Sequence, residues 1–169
     1  MTHFGRITTE VGVHSTAEKW YNLFAKSLHD VQHLTDNVHA AQLHQGEDWH
    51  HHETIKHWTY KIVYKCLCDW SDDIGCERTD GKVVKCHEKI ESIDEEKKTI
   101  HYKLFGEDID HRFKVFNLIF QAIDKENGGA IIKWTIEYEK LNEEVHPPYG
   151  YIEYLHNCTR DIDSNLVKA

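Results

Sequence analysis

The stretch that decides the fold is PPYGYIEYLHNCTRDIDSNLVKA, residues 147–169. Its two prolines suit the first turn of a helix, because the amides there have no intrahelical partner. Apolar residues and one threonine then recur at steps of three and four, which places them on one helix face. They are Ile152, Leu155, Thr159, Ile162 and Leu166. We therefore predict a long terminal helix whose apolar stripe packs against another layer.

The chain before this helix has mostly the alternating pattern of β-strands. Strands are predicted over Phe4–Val13, His39–Gln45, Thr54–Cys68, Lys82–Ile93, Thr99–Phe105, Phe113–Ile123 and Ala130–Leu141. Ser15 and Glu18 form a capping box, which predicts a helix over about Thr16–Lys26 and a second short helix ending near Leu34. Short polar separators make neighbouring strands antiparallel. The sequence thus predicts an α+β domain, a curved antiparallel sheet wrapped around the terminal helix.

Length and charge exclude several classes of protein. The 169 residues fit a single domain over 1–169. The net charge is −9, and the 20 lysines and arginines are scattered, so we expect no nucleic-acid partner. No apolar run approaches the ~20 residues that span a bilayer, and the first residues lack the apolar core of a signal peptide. We expect a cytoplasmic protein with no membrane partner.

The chain has 15 histidines and five cysteines, which are common metal ligands, so a metal site has to be considered. The candidate ligands are Cys66, Cys68, Cys76, Cys86, His87 and the triplet His50, His51 and His52. Zinc sites use paired spacings such as Cys-x-x-Cys, and these residues lack them. An odd cysteine count without a secretion signal favours reduced thiols. We expect neither a metal nor any other cofactor.

Six blocks of sequence, in order along the chain, carry a family resemblance. They are AEKWYNLF (17–24), IKHWTY (55–60), DGKVVK (80–85), EKIESID (88–94), IKWTIEYEKLNE (132–143) and DIDSNLVKA (161–169). Together they resemble major latex proteins, of the plant superfamily that also holds Bet v 1 and the pathogenesis-related class 10 proteins. The resemblance covers the chain from the first strand to the last residue.

The resemblance implies the Bet v 1-like fold, in which a seven-stranded antiparallel sheet, two short helices and a long carboxy-terminal helix enclose an apolar cavity. It also implies a ligand, since members bind plant hormones, sterols, flavonoids and alkaloids, and some relatives catalyse cyclisation or isomerisation. Two segments depart from the family. The glycine-rich loop is replaced by residues 45–54, which keep only Gly46, and residues near 63–78 are predicted to be an insertion in the hairpin of strands three and four.

The predicted cavity wall follows from the apolar faces of the last strand and the terminal helix. On the last strand Ile132, Trp134, Ile136 and Tyr138 share one face. The inner face of strand five is either Ile100, Tyr102 and Leu104 or His101, Lys103 and Phe105, and strand six is apolar on both faces. The predicted wall residues are Trp58, Phe113, Trp134, Ile136, Tyr151, Leu155, Cys158 and Thr159.

Acid–base catalysis inside such a cavity would need an inward histidine or tyrosine. The candidates are Tyr138, His156, His101 and His111. The leading hypothesis is a carrier, a monomer or weak homodimer that binds a small hydrophobic specialised metabolite or hormone. The alternative is a cofactor-independent isomerase or cyclase of an alkaloid or terpenoid intermediate. A third hypothesis, a protein–protein adaptor, relies on exposure of Trp49 and Trp70.

Overall fold

The computed structural model describes residues 3–62 and 82–168. Its strands are β1 (Phe4–Val13), β2 (Val38–Gln45), β3 (Ile55–Ile62), β4 (Lys82–Asp94), β5 (Thr99–Phe105), β6 (Phe113–Asp124) and β7 (Ala130–Lys140). Its helices are α1 (Ala17–Lys26), α2 (Glu107–Asp110) and α3 (Tyr149–Lys168), and a 3-10 helix spans Leu28–His33. The insertion predicted near residues 63–78 and the end of the third predicted strand lie outside the described residues.

The strands form one antiparallel sheet in the order β1-β7-β6-β5-β4-β3-β2. Consecutive strands from β2 to β7 are neighbours, and β1 joins the sheet beside β7. The buried residues of all the strands, of α1 and of α3 form a single apolar cluster on one face of the sheet. The α+β fold class, with seven strands and a long terminal helix, is confirmed.

Helix ends differ from the sequence-based expectation by one or two residues. The N-cap of α1 is Thr16, whose Oγ1 accepts a hydrogen bond from the backbone N–H of Lys19 at 3.2 Å, and not Ser15. Ser15 instead donates its backbone N–H to Oδ1 of Asp163 on α3 at 3.2 Å. The backbone N–H of His14 donates to the other oxygen of the same carboxylate at 2.9 Å. The turn after β1 is therefore hydrogen-bonded to α3.

The two inner faces that the sequence left open are resolved by burial. On β5 the buried set is Ile100, Tyr102 and Leu104, so that His101 points to the outer face. On β6 the register shifts between Phe113 and Val115, which lets Phe113 and Phe116 both point inward. A bulge of this kind breaks strict alternation, so Phe113 lies on the inner face while Val115 and Ile119 lie half-buried on the outer face.

Helix α3 is held to the sheet by side-chain hydrogen bonds as well as by its apolar stripe. The indole Nε1 of Trp134 on β7 donates to Oγ1 of Thr159 at 2.9 Å, and that hydroxyl donates to the carbonyl of Leu155 at 2.7 Å. Both side chains are buried, so these bonds also fix the rotation of α3 about its axis. No helix among residues 3–62 and 82–168 is long and apolar enough to cross a membrane.

Candidate ligand-binding cavity

An internal cavity lies between the inner face of the sheet and the helices α1 and α3. The space open to the centre of a water molecule inside it is about 80 Å³. A single water needs about 10–15 Å³ in this measure, so there is room for a small organic guest. Most of the wall is apolar or aromatic, with Phe24 from α1, Leu118 from β6 and Ile162 from α3 among its members.

Six of the eight wall residues predicted from the sequence line this cavity. They are Trp58, Trp134, Tyr151, Leu155, Cys158 and Thr159. Phe113 and Ile136 do not line it, which corrects their predicted place. Phe113 is buried beyond the cavity, where its ring packs against Phe116 and Tyr138 with centroids 5.2 and 5.8 Å away. Ile136 is fully buried in the apolar cluster, paired with Leu118 of β6 and Ile7 of β1.

None of the four predicted acid–base residues lines the cavity, so their predicted placement is corrected. His101 is exposed, because alternation along β5 turns it outward when Tyr102 points inward. His111 is exposed in the turn that follows α2. His156 is half-buried on the flank of α3, one residue beyond Leu155.

Tyr138 is buried, but its hydroxyl lies over the backbone of Gly5 on the edge strand β1. Gly5 and Tyr138 are paired across β1 and β7. A Cβ atom built on Gly5 would lie 2.3 Å from the tyrosine hydroxyl oxygen, a distance at which something must shift. Glycine at position 5 therefore makes the room that the tyrosine ring occupies, and the ring is turned away from the cavity.

Two charged residues that sequence reasoning passed over lie on the inner face of the sheet. Lys56 on β3 is fully buried, and Glu88 on β4 lines the cavity. The two are paired in register, with the Nζ of Lys56 and the Oε1 of Glu88 3.6 Å apart. Strand alternation was the available signal, because Lys56 shares its face with Trp58 and Tyr60.

Burial dominates the protonation of this pair. It raises the pKa of the Glu88 carboxyl, although the Lys56 ammonium and the nearby Trp58 indole oppose the rise. It lowers the pKa of Lys56, although the Glu88 carboxylate opposes the fall. Both shifts favour the neutral forms, as expected for charges moved out of water. Lys56 also donates to the backbone carbonyl of Trp49 at 3.2 Å.

Many polar groups of the wall already have hydrogen-bond partners within the protein. The hydroxyls of Tyr60 and Tyr151 bond to each other, and the Tyr60 hydroxyl also contacts the Cys86 sulfur at 3.4 Å. The Tyr102 hydroxyl donates to the carbonyl of Phe24 at 3.3 Å. Burial raises the pKa of the Cys86 and Cys158 thiols. Buried thiols of this kind are protonated and poorly reactive.

Two wall atoms make no hydrogen bond among the described residues: Nε1 of Trp58, and Oε1 of Glu88, which is 3.6 Å from the Lys56 ammonium and is paired with it by charge only. The indole is near enough to favour the Glu88 carboxylate, but no hydrogen bond of normal length and angle joins the two groups. A buried polar group without a partner costs about 1–3 kcal/mol. The wall therefore presents one donor and one acceptor that make no hydrogen bond, on a largely apolar surface.

Comparison with known proteins identifies the family. The sequence profile described as "Pathogenesis-related protein Bet v 1 family" matches residues 2–65 and 78–169. The chain belongs to this family. Its curated relatives include MLP-like protein 43 of Arabidopsis thaliana, 31% identical over 165 residues that cover 96% of this chain and 93% of the relative. Major latex protein 146 of Papaver somniferum is 29% identical over 167 residues, covering 96% and 91%.

A solved structure supports the same assignment. The crystal structure of ginseng major latex-like protein 151 from Panax ginseng superposes with a TM-score of 0.80 at 27% identity. The match covers 96% of this chain and 97% of the ginseng chain. The resemblance to major latex proteins and the Bet v 1-like fold are both confirmed.

This Bet v 1 family member folds the loop between β2 and β3 against the core. Trp49 is half-buried and packs against the apolar cluster, with its ring 5.8 Å from the ring of His29. Together with the bond from Lys56 to its carbonyl, this packing anchors the loop. The adaptor hypothesis needed an exposed Trp49, and the observed burial corrects that expectation; Trp70 lies outside the described residues.

Proposed function

We propose that this Bet v 1 family protein is a carrier for a small, largely apolar molecule that bears one hydroxyl group. The observation that carries the proposal is the pair of wall atoms that make no hydrogen bond, Nε1 of Trp58 and Oε1 of Glu88. A hydroxyl both accepts and donates a hydrogen bond, so one such group satisfies the indole N–H and the carboxylate together. A hydrocarbon satisfies neither.

Binding is driven by the rest of the wall. Burying apolar ligand surface contributes roughly 25 cal/mol per Å², and the aromatic rings around the cavity supply that surface. Apolar pockets with a few placed polar groups are the usual form of small-molecule sites. The limited volume of about 80 Å³ favours small guests over large polycyclic ones.

The test compares matched ligands, a monocyclic terpene alcohol and the hydrocarbon with the same skeleton. Isothermal titration should show tighter binding of the alcohol to the wild-type protein. Trp58→Phe keeps an aromatic ring but removes the N–H, and we expect it to weaken alcohol binding about fivefold to tenfold, the value of one hydrogen bond. Hydrocarbon binding should change much less.

Tyr138→Phe is the matched control, because it also removes one polar group from an inner-face aromatic residue, but away from the cavity. Its affinity for the alcohol should equal that of the wild type. Equal affinity of the wild-type protein for the alcohol and the hydrocarbon would contradict the proposed hydroxyl site. If neither the alcohol nor the hydrocarbon binds, the proposal that the protein is a carrier would be contradicted.

A second candidate function is catalysis of an isomerisation or cyclisation, and Glu88 is the observation that favours it. A carboxyl with a raised pKa in an apolar cavity is suited to general acid–base work near neutral pH. Exclusion of water protects reactive intermediates from hydrolysis. Glu88→Gln keeps the shape of the side chain but cannot transfer a proton. Product formation from an unstable metabolite precursor should fall in this variant while alcohol binding remains.

The remaining properties follow from the proposed role. A carrier of specialised metabolites or hormones would act in the plant cytosol, as a monomer or weak homodimer, without a bound cofactor. Size-exclusion chromatography with light scattering, at several concentrations, tests the oligomeric part. A stable dimer at low concentration would contradict it.

A further inference from the structure

The outer face of the sheet carries a cluster of imidazole and carboxylate groups at β3 and β4. His57 and His87 are directly paired across these strands, and their rings lie 5.3 Å apart. Nε2 of His57 is 2.8 Å from Oε2 of Glu107, at the start of α2. One ligand atom from each of these three residues lies within 4.8 Å of the others.

The geometry points to a zinc-binding site formed by His57, His87 and Glu107. Imidazole nitrogens and a carboxylate oxygen are a ligand set that zinc takes, at about 2.0–2.2 Å. Ligand atoms of a tetrahedral ion at that distance are about 3.3 Å apart. Around an ion the His57–Glu107 pair would open from 2.8 Å, and the His87 nitrogen, within 4.8 Å of both, would need only a small shift. The fourth position is left to a water molecule.

The local backbone holds the carboxylate and one imidazole in place. Glu107 has φ of 42°, a left-handed conformation that side-chain-bearing residues rarely adopt. The next residue, Asp108, accepts the backbone N–H of Lys85 at 2.8 Å, which fastens α2 to β4. Residues held in such conformations cluster at ligand sites, where surrounding structure stabilises them.

The two residues next to His87 in space restrict its ring. A Cβ atom on Gly106 would lie 2.5 Å from Nδ1 of His87, so glycine provides the room for the imidazole. On the other side the ring of His44, from β2, lies 4.5 Å from that of His87. These contacts position His87 before any ion binds, and positioned ligands lose less freedom on binding.

An ordinary surface ion pair explains this cluster less completely. Such a pair needs one imidazole and one carboxylate, and exposed pairs contribute about 0–1 kcal/mol. Here His57 is already paired with Glu107, and His87 adds a further nitrogen at the same point. That extra nitrogen does nothing for the ion pair, but it supplies the third ligand of a metal ion.

The proposal departs from the sequence-based expectation of no metal, and strand register explains why. His57 and His87 are 30 positions apart along the chain and become neighbours only through the pairing of β3 with β4. The exposed histidines of the 50–52 loop are the natural competitor for added metal. An experiment therefore has to separate the two groups of histidines.

The test uses the full-length protein, without an affinity tag and stripped of metal with a chelator. Zinc is titrated in competition with a chromophoric chelator, and cobalt(II) is added separately as a spectroscopic probe. We expect one high-affinity equivalent and the intense visible absorption of four-coordinate cobalt. Glu107→Gln, at a half-exposed position, should weaken zinc affinity by at least about 10–100-fold. This is the range seen even for residues that only hydrogen-bond to a metal ligand.

The matched control is the double variant His51→Ala/His52→Ala, which removes exposed loop histidines but leaves the cluster intact. It should retain both the affinity and the cobalt spectrum. A second double variant, His57→Ala/His87→Ala, should lose both. Circular dichroism of each variant without metal verifies the fold, so that lost binding is not confused with unfolding.

Two results would overturn the zinc site. One is unchanged zinc affinity in Glu107→Gln and in the folded His57→Ala/His87→Ala variant. The other is loss of the cobalt spectrum in His51→Ala/His52→Ala, which would assign the metal to the loop. The inner cavity shares none of the three ligands, so either result leaves the carrier proposal intact.

Discussion

The half of the sheet made by β2, β3 and β4 differs from the half made by β6, β7 and β1 in what its inner face carries. The first half carries the buried ion pair of Lys56 and Glu88. It also carries two polar atoms that make no hydrogen bond, Nε1 of Trp58 and Oε1 of Glu88. In the second half Phe120 and Ile136 are fully buried within the apolar cluster. We call these the polar half and the packed half.

The difference shows how one backbone pattern serves two purposes. Close packing of apolar side chains lowers the free energy of the folded state, and Leu118 and Trp134 of the packed half add only apolar or hydrogen-bonded surface to the cavity wall. Buried charges reduce that stability but provide directional contacts for a ligand. The packed half therefore stabilises the fold, and the polar half is where chemistry is concentrated. Three substitutions and one addition of zinc test this division.

The largest effect is expected in the packed half. Phe120 is fully buried, and its ring lies 4.7 Å from that of Phe24 and 5.1 Å from that of Trp134. Phe120→Ala should lower the free energy of unfolding by about 3–5 kcal/mol, because it leaves a cavity. Urea unfolding measures the change. Ile123→Ala, on the outer face of the same strand, should change it by less than about 0.5 kcal/mol; equal effects would erase the distinction.

The next effect concerns the ion pair of the polar half. Lys56→Met should lower the free energy of unfolding by about 3 kcal/mol at pH 8, because it leaves a buried carboxylate without its partner. Lys61→Met, at an exposed position of the same strand, is the control and should have little effect.

The pH dependence of this effect has a defined sign. Burial raises the pKa of folded Glu88, and loss of Lys56 raises it further, while the unfolded carboxyl titrates near ~4.3. The folded variant then binds more protons than the unfolded chain, so its stability falls as pH rises from about 4 through the folded pKa. The difference in free energy of unfolding between wild type and Lys56→Met should therefore be smaller at pH 5 than at pH 8. A gap independent of pH would show that Glu88 is not the group left uncompensated.

A smaller effect is expected where the packed half is joined to α3. Burial tends to raise the pKa of Asp163, but hydrogen bonds from the backbone N–H groups of His14 and Ser15 and from the His14 side chain lower it overall. Asp163→Asn should lower the free energy of unfolding by about 1–2 kcal/mol at pH 7.

Because the folded pKa of Asp163 is depressed, its contribution is complete above the unfolded value near ~3.9 and is lost as pH falls through the folded pKa. Wild type and Asp163→Asn should therefore converge in stability in acid. Asp36→Asn, at an exposed position before β2, provides the comparison for a general change of charge. Divergence on acidification would contradict the assigned role of the carboxylate.

The smallest effect is the influence that zinc on the outer face of the polar half should have on ligand binding at its inner face. The proposed zinc ligands and the proposed hydroxyl contacts alternate along β3 and β4 and point to opposite sides. Saturating zinc should change the affinity for a terpene alcohol by less than about twofold, which corresponds to a negligible coupling free energy. Calorimetric titration with and without zinc measures it. A tenfold change would mean that the two faces form one coupled site.

Much of the fold could be predicted because it depends on local patterns. Alternation located the strands, and the three-four spacing located α3 and its inward face. The sequence could not show which face of β6 points inward, because the register shift between Phe113 and Val115 is set by pairing with β7. The capping box predicts Ser15 as the cap of α1, but the Ser15 backbone N–H donates to Asp163, nearly 150 residues later in the chain.

The site was less predictable, because its polar members contradict the usual rule that charges face solvent. Trp58 and Leu155 could be assigned to the wall from hydrophobicity. Lys56 and Glu88 could have been found only by following alternation against their charge. His101 was a candidate because histidine suits acid–base chemistry, but the strand turns it outward. Residue type alone does not determine the direction of a side chain.

Gly5 and Tyr138 form a coupled pair whose consequence is evolutionary. The tyrosine ring fills the space that a side chain at position 5 would need, so position 5 cannot accept a larger residue while Tyr138 stays. Among homologous sequences we expect covariation: larger residues at position 5 should occur with smaller ones at position 138. In the laboratory, Gly5→Ala should be harmful alone and tolerated with Tyr138→Leu, so that an ancestor could enlarge position 5 only after position 138 had become smaller.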